Sequence, residues 1–157
     1  MKTIRRACAE DAGIILPLVR EYWTFEEIQG FQPDLIKSQL IHLLSKPALG
    51  AGWLALTEPG AAGYLLVVYV FSLENFGMTA EIDEFFVLPQ YRKQGTGKVL
   101  LETVETEFRK KGLTNISLQL SRENNSARKY YLRRGYRERL KYELMEKDLC
   151  SVVSGKD

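Results

Sequence analysis

The amino-acid sequence predicts a mixed α/β fold, with helices packed against a central sheet. Segments in which apolar and polar residues alternate, as in half-buried strands, are interspersed with segments in which apolar residues recur every three or four positions, as in amphipathic helices. The order of these segments is strand, two helices, three strands, helix, strand, helix, strand. This order departs from a simple repeat of strand–helix–strand units, and it therefore indicates a mixed sheet.

The first half of the chain contains one predicted strand, two helices and a hairpin. Residues 3–7 form the strand, and Asp11 is placed to cap a helix whose apolar residues have helical spacing. Pro33 suits the first turn of a second helix, where its missing N–H is not needed. A Glu-Pro-Gly turn separates strands at residues 53–57 and 63–72, which we interpret as a hairpin.

The second half contains three further strands and two helices. A strand at residues 80–88 ends at a proline, and a glycine-bearing loop leads from it into a helix. Residues 116–120 alternate and predict the next strand. Asn124 and its neighbour offer N-caps for a short helix. Residues 136–147 alternate again, which predicts a last strand with these side chains on one face: Leu140, Tyr142 and Leu144.

Length and composition favour one globular domain. The chain has 157 residues, of which 45% are hydrophobic and 27% are charged, within the ordinary range for globular proteins. We expect one domain over residues 1–150 and a short flexible tail over residues 151–157. The formal net charge of +2 favours neither a nucleic-acid nor a membrane partner, and the longest apolar run, residues 63–71, is too short to span a bilayer.

The cysteine and histidine content argues against metal and triad chemistry. Cys8 and Cys150 are the only cysteines, and His42 is the only histidine. Because no Cys-x-x-Cys pair or Cys/His cluster is present, neither a zinc site nor a histidine-based nucleophilic triad is supported. Two thiols suit a reducing compartment, and nothing at the N-terminus resembles a signal peptide. We therefore expect a cytoplasmic protein without a metal.

Residues 85–98 contain the most informative loop. A strand runs into a loop that opens a helix, and Gly95 and Gly97 let an anion approach the backbone closely. The first N–H groups of a helix lack partners and point toward such an anion, and Arg92 and Lys98 add positive charge. The sequence lacks the Ser or Thr of an ATP-binding P-loop and the third glycine of a dinucleotide fingerprint. A different pyrophosphate ligand is favoured, although two glycines also suit an ordinary tight turn.

Two spaced motifs resemble those of the GNAT superfamily of N-acetyltransferases. They are Val87-x-Pro89-x-x-Arg92-x-x-Gly95-x-Gly97 and Asn124-x-x-Ala127-x-x-x-Tyr131-x-x-x-Gly135-Tyr136. The order of strands and helices is also similar, so the resemblance covers essentially the whole chain. The sequence departs from the family at Lys93, where many members have glycine, and at Thr96, where an aliphatic residue is usual. The resemblance implies a splayed, mostly antiparallel sheet flanked by about four helices.

The resemblance also implies that the chain binds acetyl-CoA. The backbone groups of Phe85 and Val87 would pair with the pantetheine arm as if it were an added strand, and the amides of residues 93–98 would hold the pyrophosphate. Asn124 would contact the pantetheine side. A homodimer is expected by the same analogy. The implied cofactor-binding residues are Phe85, Val87, Arg92, Lys93, Gln94, Gly95, Thr96, Gly97, Lys98, Asn124 and Ala127.

Acyl transfer to an amine needs a neutral amine, a stabilised oxyanion and a proton for the departing thiolate. Direct attack in a ternary complex fits a chain without an activated cysteine, and the resemblance places Tyr131 near the sulfur as general acid. For the base we favour Asp83 or Glu81, with Glu84 third, because carboxylates on a central strand are costly without a purpose. The alternative is that one or more of these carboxylates form an ion pair with an arginine or lysine on a neighbouring element. Strict alternation would place Glu81, Asp83, Phe85 and Val87 on one face, and Ile82, Glu84 and Phe86 on the other.

Two sequence features bear on the identity of the acceptor amine. The run from Asp83 to Val87 and the later Tyr131-x-Arg133-Arg134-Gly135 are similar to those of diamine acetyltransferases, and the acidic strand residues suit a small cationic amine. Arg128 or Lys129 is a candidate contact for the CoA 3′-phosphate, and other basic runs are interpreted as solvated helix ends. Acetylation of a protein or peptide amine and a non-catalytic acyl-CoA sensor are the alternatives. Four aromatic residues form either a wall of the acceptor site or ordinary core: Tyr22, Trp23, Phe25 and Phe31.

Overall fold

The computed structural model describes residues 2–150 and contains five strands and four α-helices within that range. The chain divides after Gln119 into two compact units. The expectation of one domain over residues 1–150 stays a prediction, and the expected tail over residues 151–157 lies outside the described residues.

The first unit contains all five strands of the sheet and three of the helices. The strands are β1 (Thr3–Arg6), β2 (Gly50–Thr57), β3 (Gly60–Ser72), β4 (Gly77–Val87) and β5 (Ile116–Leu118). The helices are α1 (Ala12–Phe25), α2 (Pro33–Ser45) and α3 (Thr96–Lys110). The second unit contains α4 (Asn125–Arg133).

The strands lie side by side in the order of the chain, from β1 to β5. The first three pairings are antiparallel, and β4 pairs with β5 in parallel. A parallel pair needs a long crossover connection, and the segment that contains α3 supplies it. The sheet is therefore mixed and mostly antiparallel, as predicted.

Helices cover both faces of the sheet, because adjacent strand residues point to opposite sides. On one face, α1 and α2 pack on the strands through buried side chains that include Ile15, Leu18, Val19, Leu40, Leu54, Tyr64, Leu66 and Phe86. On the other face, Phe108 of α3 packs edge-on against Trp53 and Tyr69, with ring centroids 5.6 and 6.1 Å apart. The two layers exclude water from both sides of the central strands.

Asp11 stands at the N-cap position of α1 as predicted, but its side chain makes no capping hydrogen bond to that helix. Its two carboxylate oxygens accept hydrogen bonds from Arg5, each over 2.7 Å, and one of them also accepts from the backbone N–H of Cys8. The Arg5 guanidinium holds the pKa of this buried carboxyl well below its usual range. Asp11 therefore ties β1 to the beginning of α1.

Residues 136–147 do not form the predicted last strand in the described part of the chain. Their backbone turns where the N–H of Tyr142 donates to the carbonyl of Arg139 over 3.1 Å, and the side chains of Leu140 and Leu144 are exposed. Alternation predicts which side chains share a face, but a strand also needs a neighbour for its backbone hydrogen bonds. The prediction of this strand is wrong, and the order of the other elements is confirmed.

Glu107 joins α3 to β1 and β2. Its carboxylate accepts hydrogen bonds from Arg6 over 2.6 Å and from the Trp53 indole over 3.1 Å, and it pairs with Lys111 over 2.7 Å. Partial burial acts to raise the pKa of Glu107, but the hydrogen bonds from Arg6 and Lys111 outweigh it and lower the pKa to about 2.

We expect Glu107→Gln to lower the free energy of unfolding by about 2 kcal/mol at neutral pH, because three donors lose a charged acceptor. A lowered pKa stabilises the folded state above the ordinary value of 4.5, and this stabilisation is lost as the pH falls toward about 2. Urea unfolding should therefore show a smaller difference between variant and wild type near pH 3 than at neutral pH. Glu102→Gln, exposed on the same helix, is the control, and a pH-independent difference would contradict the assignment.

Candidate active site

One edge of β4 is open over its last five residues. The parallel pairing with β5 covers only Ala80 to Ile82, opposite Ile116 to Leu118, and no other described strand continues it along that edge. On its other edge, β4 remains paired with β3 as far as Val87. An extended ligand can add to such an edge through backbone hydrogen bonds. This arrangement agrees with the expected splay of the sheet at Phe85 and Val87.

A β-bulge interrupts β4 at Asp83. Leu66 of β3 pairs with Glu84, whereas the next residue, Val67, pairs with Ile82, so that Asp83 has no opposite partner. Directly paired residues share a face, and the extra residue therefore places Ile82 and Glu84 on opposite faces. The strict alternation expected from the sequence is wrong at this point. Sequence periodicity could not reveal the bulge, since it depends on the register between two strands.

Glu84 is held by two donors, one buried and one half-buried, on the face that α1 covers. The Trp23 indole N–H donates to Oε1 over 2.8 Å, and the Tyr64 hydroxyl donates to Oε2 over 2.7 Å. Burial raises the pKa of Glu84 above its ordinary value, and these two hydrogen bonds counteract part of the increase. Burial also raises the pKa of Tyr64, which stays a donor. Glu84 therefore has a fixed orientation within the fold.

Asp83 and Glu81 have different surroundings from Glu84. Gln119 donates a hydrogen bond to Glu81 over 3.0 Å, whereas no described residue donates one to the carboxylate of Asp83. Desolvation, and then the neighbouring charge of Glu81, raise the pKa of Asp83. Because Asp83 is exposed, solvent screens part of this effect. Asp83 is thus the carboxylate of the three that is accessible and has no hydrogen-bond donor among the described residues.

We expect Tyr64→Phe to lower the free energy of unfolding by about 1–3 kcal/mol at neutral pH, because the half-buried carboxylate of Glu84 loses a donor. A raised pKa means that ionised Glu84 costs stability above its ordinary pKa of 4.5, and losing the donor increases that cost. The effect should therefore be smaller near pH 4 than at neutral pH in urea unfolding experiments. Tyr91→Phe is the control, because no described residue bonds that half-buried hydroxyl; an equal effect for both variants would refute the interpretation.

The four aromatic residues singled out in the sequence pack in two separate groups. Tyr22 and Phe25 of α1 both pack on Phe86, with ring centroids 6.0 and 6.2 Å apart. Trp23 packs edge-on against Phe31 at 5.5 Å. Desolvation, followed by the charges of Glu26, Glu84 and Asp83, raises the pKa of Tyr22 to about 12. The Tyr22 hydroxyl therefore lies in an acidic environment that α1 and β4 build together.

The glycine loop has the backbone that the sequence predicts for an anion site. Gly95 is the N-cap of α3 and is left-handed, with φ of 79°. A Cβ added at Gly97 would approach Phe85 to 3.4 Å, so this position also allows close packing on β4. Lys93 has φ of 57°, which explains why glycine is common there in the family. The first N–H groups of a helix have no partner within it, so those at the beginning of α3 are available to an anion.

Three further residues bear on the charge and hydrogen bonding of this loop. Lys2 donates a hydrogen bond to the carbonyl of Gln94 over 3.0 Å, and it brings a positive charge from the beginning of the chain. Thr96 is buried, and its hydroxyl has no hydrogen-bond partner among the described residues. Lys98 is exposed on the first turn of α3. Sequence reasoning missed Lys2, because it is distant in the chain from the loop.

Arg92 is turned back toward β4. Its Nε donates to the carbonyl of Val87 over 2.7 Å. Its guanidinium carbon lies 4.9 Å from the centroid of Phe25 and 5.1 Å from that of Phe86. The sequence predicts that Arg92 contributes to a phosphate site. In the structure, however, the Arg92 side chain already contacts β4 and α1.

The second unit contains the other predicted site residues. The side chain of Asn124 accepts a hydrogen bond from the N–H of Ala127 over 3.1 Å and caps α4, as predicted. Tyr131 is buried on this helix, and its ring lies 5.4 Å from that of Tyr130 and 5.1 Å from that of Tyr136. Arg128, a candidate for the CoA 3′-phosphate, forms an ion pair with Glu138.

The amino-acid sequence matches a known protein family. A model of the acetyltransferase (GNAT) family matches residues 15–136. The chain belongs to this family. It is therefore an acetyl-CoA-dependent N-acetyltransferase with the fold of the family.

Individual relatives and solved structures are similar over most of their length. A spermidine N(1)-acetyltransferase of Thermoplasma acidophilum is 24% identical over 140 residues, which cover 85% of this chain and 87% of the relative. A solved integron cassette protein from the mobile metagenome of Cole Harbour salt marsh has a TM-score of 0.82 and 26% identity, and the match covers 96% of this chain and 92% of the other. An aminoglycoside N-acetyltransferase in complex with CoA has a TM-score of 0.80 and 19% identity over 96% of each chain.

No helix within residues 2–150 combines the length and apolar character required to cross a membrane. In the same range, no group of three or more His, Cys, Asp or Glu side chains is arranged to hold a metal ion.

Proposed function

We propose that this GNAT protein acetylates a primary amine of a small cationic molecule by direct attack in a ternary complex. The observation that supports this acceptor class is the acidic environment of the Tyr22 hydroxyl, to which Glu26, Asp83 and Glu84 contribute. Carboxylates attract an ammonium group and hold it at close range. The similar protein of Thermoplasma acidophilum is a spermidine N(1)-acetyltransferase, and spermidine is a cationic acceptor of the proposed class.

Two backbone features support the residues that we propose to hold acetyl-CoA. The open edge of β4 near Phe85 and Val87 would receive the pantetheine arm, and the amides of residues 93–98 would receive the pyrophosphate. By the family resemblance, Asn124 and Ala127 are also proposed as contacts of the cofactor. When bound, acetyl-CoA supplies an activated acyl group as a thioester.

Proton movement can be assigned to two side chains. Asp83 accepts a proton from the acceptor ammonium, directly or through a water molecule, because its carboxylate has a raised pKa and no donor among the described residues. Tyr131 donates its phenolic proton to the departing sulfur. Glu81 is the alternative base, and Glu84 instead orients the acceptor from its fixed position.

A free-thiol release assay tests this function directly. Acetyl-CoA would be offered with polyamines, aminoglycosides, amino acids and lysine peptides in parallel. We expect turnover with small polycationic amines and little with the others. Turnover confined to lysine peptides would favour a protein acceptor, and tight CoA binding without turnover on any amine would favour a sensor.

We also propose that residues 1–150 act as one catalytic domain, and that the protein forms a homodimer by analogy with the family. Light scattering coupled to size exclusion would report the mass in solution. A monomeric mass across micromolar concentrations would refute the dimer without affecting the proposed chemistry.

A further inference from the structure

Arg92 makes three contacts with β4 and α1. Its Nε donates to the carbonyl of Val87, the last residue of β4, over 2.7 Å. Its planar guanidinium lies near two rings, with distances of 4.9 Å to the centroid of Phe25 and 5.1 Å to that of Phe86. Phe25 is the last residue of α1, and it packs on Phe86 at 6.2 Å.

These contacts connect the two halves of the proposed reaction site in the first unit. Phe86 follows Glu84 and Phe85 on β4 and packs beside Tyr22, in the acidic environment proposed for the amine. Arg92 itself begins the segment that leads through the left-handed Lys93 to Gly95. A change in the position of Phe25 or Phe86 would therefore be transmitted to the glycine loop through the side chain of Arg92.

We propose that Arg92 is a positioning residue that couples the end of α1 to the glycine loop, and that it is not a ligand of the pyrophosphate. This inference rests on the proposed function, because it assigns the amine to α1 and β4 and the cofactor to the loop. The hydrogen bond to Val87 fixes the turn after β4, and the stacked guanidinium holds that turn against Phe25. These contacts hold the backbone amides of the loop in a fixed orientation, and the charge of Arg92 takes no part in binding the pyrophosphate.

The chemistry of this contact requires arginine. A guanidinium offers an Nε donor and a flat surface that stacks on aromatic rings, whereas the ammonium of lysine offers a compact charge without either property. The two roles therefore predict different results for the same substitution. A phosphate ligand keeps much of its effect when arginine becomes lysine, and a positioning residue of this kind does not.

The test is calorimetric titration of CoA into full-length variants. We expect Arg92→Lys and Arg92→Met to weaken CoA binding to a similar extent, by about tenfold, since both lose the Nε donor and the stacking. Phe25→Leu should weaken CoA binding by about threefold and also raise KM for the amine. Combining Phe25→Leu with Arg92→Met should add little, because the two residues act through one contact.

Arg20→Met is the matched control, because it removes a guanidinium 4.8 Å from the ring of Phe31 without touching the loop, and its CoA affinity should equal that of the wild type. Thermal unfolding checks that each variant is folded. Near wild-type CoA affinity in Arg92→Lys, or an unchanged CoA affinity in Phe25→Leu, would overturn the inference. If the variants show the expected CoA affinities but no amine is acetylated, the inference about Arg92 holds and only the proposed acceptor is refuted. If the wild type does not bind CoA, both the inference and the proposed function are overturned.

Discussion

Replacing Asp83 by asparagine is expected to lower kcat/KM for the acceptor amine by roughly 10²–10³-fold, the usual loss when a general base is removed. The structure favours this residue for three reasons. The bulge brings Asp83 out of the ladder, no described residue donates a hydrogen bond to it, and desolvation with the charge of Glu81 raises its pKa. CoA affinity should be unchanged, because the side chain is proposed to contact the amine.

The pH profile gives a second readout for Asp83. A base works in its ionised form, so activity falls as the pH drops through its pKa, and a raised pKa moves this fall upward from the ordinary value of 3.8. That part of the profile should be lost in Asp83→Asn. Glu81→Gln is the comparison, and we expect a loss below about fivefold for it. A larger loss in Glu81→Gln than in Asp83→Asn would make Glu81 the base.

Tyr131→Phe is expected to lower kcat by roughly 10²-fold or more, because the variant cannot protonate the departing sulfur. The phenylalanine keeps the ring that lies near Tyr130 and Tyr136, so α4 should keep its packing. Stopped-flow or steady-state release of free thiol measures kcat, and calorimetry measures CoA affinity. We expect the first to fall and the second to change by less than about threefold.

Tyr130→Phe is the matched control for this prediction, since it removes a hydroxyl from the adjacent position of the same helix. Its kcat should stay close to that of the wild type. Equal losses in both variants would assign the effect to the structure of α4, and an active Tyr131→Phe would exclude Tyr131 as the acid.

The sequence predicted most of the fold because periodicity reports which side of an element faces the core. The helix at Pro33 and the α3 helix after Gly95 appeared where local signals placed them. The last strand was wrong because residues 136–147 have the alternation of a strand without the backbone pairing. Alternation is a local property, and pairing requires another segment.

Within the site, local motifs predicted the glycine loop and the asparagine cap but not the direction of every side chain. The bulge at Asp83 depends on the register of β4 against β3, and no single segment contains that information. Trp23 and Tyr64 meet at Glu84 from different elements, so their role could not be read from spacing. Arg92 belongs to the motif, yet its contacts with Val87 and Phe25 became apparent only in three dimensions.

The open part of β4 has a consequence for how the protein behaves during purification and storage. Unpaired strand edges invite other polypeptides to pair with them, and bulges and charged side chains discourage such pairing. The bulge at Asp83 distorts β4 from its paired side, and the exposed carboxylate of Asp83 adds a charge to the same segment, so both make the open edge a poorer template for self-association. Variants that neutralise Asp83 should therefore be more prone to aggregate, and CoA added during handling should suppress that tendency by occupying the edge.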